Sequence, residues 1–587
     1  MEAAKARALI KTGLLFLVLA FGIPEIAARV AMLGASPQLL FYAGLYCILF
    51  ACLWSAAFIR QPLLRWGWAA ILALAALVVA SFQTATGDAM SYDAFITMIH
   101  SVGFAGNATA QYGEAIAWAA ASSLLLFVAV GLKPGPQLRA PGPVIALAPF
   151  AGLAMLSGLL FIRGGEGARG LPDAWVGTSY AALYAVETAS RPSLSRQPVR
   201  LTPRRPAGQG DVVLIVDESI AGRYLDINDA AGVRSGLASP PPGVAVSNFG
   251  IAASITNCSY GSNLTLRHGG TREAYQRVNA VMPSIFDYAQ HAGFETVYID
   301  AQRTGGDYQN GMDDAERRKI DHFIQFDDTP VMDRDMAAAD ALIARLNDKR
   351  RDFIMINKMG AHFPVADKYP RNAQIYRPAL PRDESMAVTE TRLPKNLYNS
   401  AESWRLYRNA YRNTVAWTVG GFFDRLFASA QLDGTLIVYT SDHGQNLHER
   451  GDHGITTHCS SSPASEEGAV PLVVIDGSRD WAAAAKRNFD ASSHYRIFPT
   501  LLNAMGYDPK SVRQLYGDAL DSSRPDPVTF NARFNARLGR KPQWVEVRRA
   551  SLPRPPVGDY RIGKAERAPD GSTTNMAGKD LPTDRSR

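Results

Sequence analysis

A chain of 587 residues is too long for one ordinary domain. Its hydrophobic content of 47% reads as globular, but the average hides an apolar first quarter followed by a chain of soluble character. The net charge of +7 does not mark a nucleic-acid partner: the excess lies in short loops between apolar segments, in RPSLSRQPVRLTPRRP and near the C-terminus. Such residues more often meet anionic headgroups, and no nucleic-acid motif accompanies them.

In chain order, five segments are apolar over about 20 residues, the length that crosses a hydrocarbon core. They run roughly over 11–33, 38–59, 66–85, 113–132 and 143–163. Pro24, Glu25 and Arg29 interrupt the first. It reads as an anchor, because no small-residue cleavage site follows it before a soluble chain. Lys5, Arg7 and Lys11 precede the first span, Arg60 and Arg65 join the second to the third, and Lys133 and Arg139 join the fourth to the fifth. The long loop SFQTATGDAMSYDAFITMIHSVGFAGNATAQYGEA has neither Lys nor Arg. This bias predicts a cytoplasmic N-terminus and, after five crossings, everything beyond Arg163 on the other side.

PDAWVGTSYAALYAVETASR then reads as an amphipathic helix along the outer membrane–water boundary, followed by a Pro/Arg-rich linker to about residue 208. Beyond it the pattern changes. DVVLIVDES, FETVYID, RDFIMINKMG, GTLIVYTSDHG and AVPLVVIDG are short, nearly continuous apolar runs. Helical stretches such as MPSIFDYAQHAG and DMAAADALIARLNDK separate them. This alternation predicts an α/β fold with a doubly wound, mostly parallel sheet. The expected organisation is a five-helix transmembrane domain over 1–165, an amphipathic helix and linker over 166–209, an α/β/α domain over 210–550, and a disordered polar tail over 551–587.

Open α/β sheets build their sites at the carboxyl ends of strands. Those ends carry Asp217 and Glu218 in IVDES, His362 in NKMGAHFP, and Asp442 and His443 in YTSDHG, with His453 and His458 in GDHGITTHC. Carboxylates and imidazoles converging from separate strands suit a divalent ion, zinc first. Any one of them alone is more often a helix cap or a structural histidine; the combination carries the metal reading. SITNCSYGSNLTLR adds several hydroxyls and a thiol at a helix start, where they cap the helix or supply a nucleophile.

These residues resemble the membrane-anchored phosphoethanolamine transferases of the lipid A-modifying, colistin-resistance type, within the alkaline phosphatase superfamily. The likeness covers about 210–510 and the five-span layout, and rests on VDES, VYTSDHGQNL, KMGAHFP and NTVAWTVGGFFDRL. It implies an alkaline-phosphatase-like catalytic domain in the periplasm of a bacterium, anchored in the inner membrane. Glu218, Asp442, His443 and Ser259 are then zinc ligands, for one ion or two, with Asp217 in place of the family's glycine. The nucleophile falls on Ser259, where the family has threonine, with Ser262 three residues on; Thr256 is the second choice. His362 and His458 are implied to hold phosphate and move protons, with His453 as the alternative to His458. Ser101, Asn107 and Glu114 correspond approximately to donor-lipid contacts, and Arg303 and Asp307 lie in the headgroup loop, where the family's lysine is absent. A single disulfide, Cys258–Cys459, is expected.

The implied reaction moves phosphoethanolamine from phosphatidylethanolamine to lipid A or an envelope glycan through a phospho-serine. Phosphoglycerol transfer from phosphatidylglycerol to a glucan or polymer is the alternative chemistry. A non-catalytic glycan-binding envelope protein is the alternative of another class. Sulfatase chemistry is disfavoured, because CSYGS and SYGSN lack the proline and arginine of the Cys/Ser-x-Pro-x-Arg signature.

Overall fold

This computed structural model describes the chain except residues 1, 87–88, 101–104, 135–140, 191–193, 205–209, 383–399, 452–456, 461 and 564–587. Contacts divide it into two compact units: Met1–Ser193 with Asn535–Lys541, and Leu194–Phe534 with Pro542–Arg587.

The first unit is helical: α1 (Glu2–Phe21), α2 (Ile23–Leu33), α3 (Pro37–Phe58), α4 (Pro62–Thr86), α5 (Tyr92–His100), α6 (Ala105–Gly131), α7 (Gly142–Ile162) and α8 (Asp173–Ser190). Helices α3, α4, α6 and α7 contain stretches long and apolar enough to cross a membrane. The pair α1 and α2, bent by 54°, makes a fifth when taken as one span. Pro24, in the first turn of α2, cannot continue the hydrogen bonding of α1, which accounts for the break.

Helix α8 differs from the interfacial helix expected of its sequence. Ala174, Trp175, Gly177, Ser179 and Tyr180 are buried, and Trp175 Nε1 donates to the Leu49 carbonyl at 2.9 Å. A Cβ on Gly177 would fall 2.7 Å from the Ala75 carbonyl oxygen. The small residues that made the helix look weakly amphipathic are what let two backbones approach. Residues 535–541, expected in the soluble domain, also group with these helices. Arg537 pairs with Glu187 at 3.1 Å, and Leu538 packs on the helical core.

The second unit is built on a seven-stranded sheet of β1 (Val212–Asp217), β2 (Val246–Ala253), β3 (Glu295–Asp300), β4 (His322–Gln325), β5 (Asp352–Asn357), β7 (Leu436–Ser441) and β8 (Ala469–Asp476). A separate two-residue strand, β6 (Tyr376–Arg377), falls between β5 and β7 in the chain. The order across the sheet is β2-β8-β7-β1-β5-β3-β4. The β7–β1, β1–β5, β5–β3 and β3–β4 pairs are parallel, and only the pairs made by β8 are antiparallel. This is the doubly wound, mostly parallel α/β/α architecture that the alternating runs imply. Alternate residues of β1 feed two cores: Val213 and Ile215 enter one, and Val212, Leu214 and Val216 the other. Helices Arg334–Leu346 and Ala401–Val415 cover the first face; Ile285–His291 and Ile497–Ala504 cover the second.

Register is what positions the site. Asp217 lies opposite Ser441, and Asp300 opposite Asn357, so the carboxyl ends of β1, β7, β3 and β5 finish almost level. The residues immediately after them therefore converge.

Part of the polar tail is ordered. Leu552 is buried in a small cluster with Phe530 and Val547. Strands β9 (Thr529–Asn531) and β10 (Trp544–Glu546) pair with each other, and β11 (Arg561–Ile562) pairs with β6. Residues 564–587 lie outside the described residues.

One buried histidine behind the sheet end sets an acid dependence. Thr440 Oγ1 donates to the Pro471 carbonyl at 2.7 Å and so accepts from His494 Nε2 at 2.8 Å; His494 Nδ1 has no hydrogen-bond partner. Burial pushes His494 down to about 3. An unfolded chain's imidazole titrates near its ordinary value of about 6.5, so the unfolded state takes up a proton that the folded state refuses. Stability from this group is complete above that value and is lost as pH falls toward 3. Thermal midpoints of the full-length protein should fall from neutral pH to pH 5, and His494→Gln should make that decline shallower. An unchanged slope would contradict this assignment.

Candidate active site

Four groups meet where β1 and β7 end. Glu218, Asp442 and His443 are buried, and their ligand atoms lie within 4.8 Å of one another. Glu218 Oε1 is 3.3 Å from His443 Nε2, and Asp442 Oδ2 is 3.7 Å from the same nitrogen. Ser259 opens α9 (Ser259–His268) and turns its hydroxyl into the group. Its Oγ lies 3.1 Å from Glu218 Oε1 and 3.3 Å from His443 Nε2. A helix N-terminus adds a partial positive charge at this point.

The backbone explains why these side chains aim inward. Ser219 adopts a positive φ of 63° directly after Glu218, a conformation that costs a non-glycine residue about 1 kcal/mol. The turn is held because Ser219 N donates to Asp442 Oδ1 at 3.0 Å, and its carbonyl accepts from Tyr411 at 2.8 Å. His443 N also donates to Asp442 Oδ1, and His443 Nδ1 bonds the Gly444 carbonyl at 2.8 Å. That last bond directs the Nε2 lone pair at the cluster, the arrangement typical of metal-ligating histidines. The glycine of KMGAH is required too: at Gly360, φ is +50° and a Cβ would fall 2.5 Å from Asp217 Oδ1 and from the Glu218 carbonyl oxygen.

Electrostatics match a cation-binding cluster. Burial alone would discharge His443, yet the Asp442 and Glu218 carboxylates raise it to about 10. Burial likewise opposes ionisation of Glu218, but the hydrogen bond and charge of His443 hold it far below the usual carboxylate range. Burial and the Glu218 charge push Asp442 up to about 8. Asp442 Oδ2 is buried without a hydrogen-bond partner. Two carboxylates, one of them with an orphaned oxygen, and an imidazole with its lone pair directed inward form a donor set that suits a divalent metal. It is the only such cluster of three His, Cys, Asp or Glu residues among the described residues.

Other sequence candidates divide. His458 is nearly buried and stacks on His443, with ring centroids 4.3 Å apart. His362 is close enough for its charge to act on Glu218, and its Nδ1 bonds the Phe363 carbonyl at 2.7 Å. Thr256 is buried and bonds Asn257, not the cluster; Ser262 is spent on the Thr256 backbone. Arg303 reaches the site indirectly, through Gln309 and then Gln302. Asp307 is exposed, and its carbonyl rather than its carboxylate is what Gln325 holds. Glu114 is exposed on α6. Ser101, His453 and the side chain of Asn107 lie outside the described residues.

Cys258 and Cys459 are joined by a disulfide, which ties the residue before Ser259 to the residue after His458. Glu467, unmarked in the sequence, reinforces this link. Its carboxylate accepts from Asn257 Nδ2 at 2.8 Å and from the Ser460 and Ala464 amides. Gln302 was also missed: its Nε2 reaches Glu218 Oε2 at 3.2 Å and the Lys358 carbonyl at 2.8 Å.

The family described as Sulfatase matches residues 211–507. The chain is 23% identical over 361 residues to the Kdo(2)-lipid A phosphoethanolamine 7''-transferase of Escherichia coli K12. That match takes in 57% of this chain and 59% of the relative, so the chain spans less than two thirds of that protein's length. In fold it is similar to the integral membrane lipooligosaccharide phosphoethanolamine transferase A of Neisseria meningitidis. The TM-score is 0.61 at 17% identity, over 86% of this chain and 98% of that one.

Asp217 itself faces away from the cluster into an ion network. Its Oδ2 accepts from Lys358 Nζ at 2.7 Å and from the Tyr439 hydroxyl at 3.0 Å, with all three side chains buried. Lys358 also donates to the Thr418 carbonyl at 2.6 Å. Lys358 Nζ also lies 3.9 Å from the buried Asp335 Oδ2, so Lys358→Met strands two buried carboxylates and should destabilise the protein by about 3–5 kcal/mol, and Asp217→Asn, which leaves Lys358 with Asp335, by less. Thermal unfolding measured alongside metal content checks this. Loss of metal without loss of stability in Asp217→Asn would instead make Asp217 a ligand.

Proposed function

The chain belongs to the sulfatase family, and from that premise we propose that it is a zinc-dependent transferase that moves phosphoethanolamine from phosphatidylethanolamine to a lipid A-type glycolipid. The reading places the reaction at the periplasmic face of a bacterial inner membrane. One observation carries it: the Ser259 hydroxyl sits against Glu218 and His443 at a helix N-terminus. The apolar helices and the activities named for the two relatives support a lipid donor and a lipid A-type acceptor. Sulfate-ester hydrolysis is not proposed, because the turn around Ser259 lacks the formylglycine signature.

Glu218, Asp442 and His443 would hold the zinc, with the Ser259 oxygen as a further donor. When bound, zinc lowers the pKa of a coordinated hydroxyl and polarises a phosphoryl oxygen. The protein's own groups do the rest. Ser259 Oγ gives up its proton to His362 or His458 as it forms a bond to the donor's phosphorus. The bond from phosphorus to the diacylglycerol oxygen breaks, and that oxygen takes a proton from His362 or His458. The backbone amides opening α9 orient the phosphate oxygens. An acceptor hydroxyl or phosphate then attacks, any proton it carries passes to the histidine, and the Ser259–phosphorus bond breaks as Ser259 Oγ takes a proton back from the histidine. Anchoring places catalyst and lipid donor in one plane, which raises their effective concentration.

Two measurements test this. Intact-protein mass of wild type incubated with donor alone should show an added phosphoethanolamine, lost in Ser259→Ala and retained in Thr256→Ala. Lipid mass spectrometry of cells should show a glycolipid heavier by one phosphoethanolamine with wild type, and none with Ser259→Ala. A phosphoglycerol increment would replace the donor assignment. An unmodified, metal-free protein would overturn the enzyme reading.

A further inference from the structure

A concavity in the α/β unit uses none of the candidate active-site residues described above. It is a cleft of about 930 Å³ whose polar wall is Tyr369, Arg371, Arg377, Arg382, Arg405 and Arg561. Five of its lining residues are arginines, and none of the described ones is Asp or Glu. Guanidinium groups stay charged at any physiological pH.

The fold fixes several of them in place. Strands β6 and β11 place Arg377 directly opposite Arg561, and like charges in that position destabilise a strand pair. Backbone carbonyls fix individual forks: Arg377 Nε donates to Gln374 O at 3.1 Å, and Arg382 Nε to Ala366 O at 3.2 Å. Arg382 also lies over the Tyr369 ring, 5.4 Å from its centroid. Arg405 is balanced by Glu402, with Nε 2.7 Å from Oε2. Arg371 and Arg561 are exposed. Fixed guanidinium forks lining a concavity are what planar, multidentate recognition of phosphate or carboxylate requires.

The cleft is also within reach of the chemistry. Its wall begins at Tyr369, seven residues after His362 (369 − 362), and seven residues span at most about 25 Å. We propose that this cleft binds the phosphate and carboxylate groups of the anionic glycolipid acceptor. The inference rests on the transferase reading above. A flat bilayer surface does not fill a concavity, which favours a discrete anionic ligand over membrane headgroups.

The test uses full-length protein in detergent and Kdo(2)-lipid A as the probe, read by equilibrium binding at several salt concentrations. Arg371→Glu/Arg561→Glu should weaken binding by about tenfold or more, the order expected when charge-assisted hydrogen bonds are lost and reversed. Arg371→Lys/Arg561→Lys should retain most of the affinity, and a dephosphorylated glycolipid should bind wild type weakly. Arg371→Gln/Arg561→Gln replaces the charge reversal if its thermal midpoint drops. Unchanged affinity in these variants overturns the proposal, as does an effect confined to phosphatidylglycerol vesicles. Donor cleavage by wild type without acceptor reports separately on the transferase reading, so either can fail alone.

Discussion

Everything at the site depends on the parallel pairing of β1 with β7. A parallel ladder that ends Asp217 level with Ser441 leaves Glu218 and Asp442 as the next residues on adjacent strands. Two carboxylates so placed repel unless a positive charge lies between them. A protonated His443 supplies that charge; a divalent cation bound at its Nε2 would displace that proton and supply the charge itself. A slip of the β1 register would carry Glu218 away from Asp442 and remove the cation site with it.

The surrounding structure holds this charge arrangement rigid. On one side the buried Lys358–Asp217 pair fixes the last residue of β1, and the backbone strain at Ser219 is offset by bonds to Asp442 and Tyr411. On the other side the Cys258–Cys459 disulfide and the Glu467 carboxylate clamp the Ser259 turn to the His458 loop. Cys258 and Cys459 are 201 residues apart in sequence, so a covalent tie removes chain entropy that packing alone would have to overcome. Preorganisation of this kind is what electrostatic catalysis needs, because the groups do not have to reorganise as charge develops.

Much of this was legible in the sequence because its signals are local. Apolar runs ending in acid or Asp-His, and a hydroxyl-rich helix start, are properties of a few adjacent residues. The choice between Ser259 and Thr256 was not local, since spacing admits both and only the turn of α9 separates them. Gln302, Ser219 and Glu467 carry no motif; each matters because tertiary structure brings it to a carboxylate or a loop. Helix α8 was misread because glycine, alanine and serine look weakly polar, while in a packed helical unit they are interface residues. The ordered part of the tail was missed because Leu552 and Arg561 acquire partners only from distant strands. The arginine cleft was invisible for the same reason, as its wall comes from residues 369–382, 405 and 561.

The central claim is that one cation sits between Glu218, Asp442 and His443 and touches the Ser259 oxygen. X-ray anomalous scattering across the zinc edge, on crystals of the purified protein, tests it most directly. The account predicts a single strong peak with oxygen and nitrogen ligands from these four residues at about 2.0–2.2 Å. No peak at that point, or a peak bound elsewhere while the four side chains keep the positions described, would contradict it.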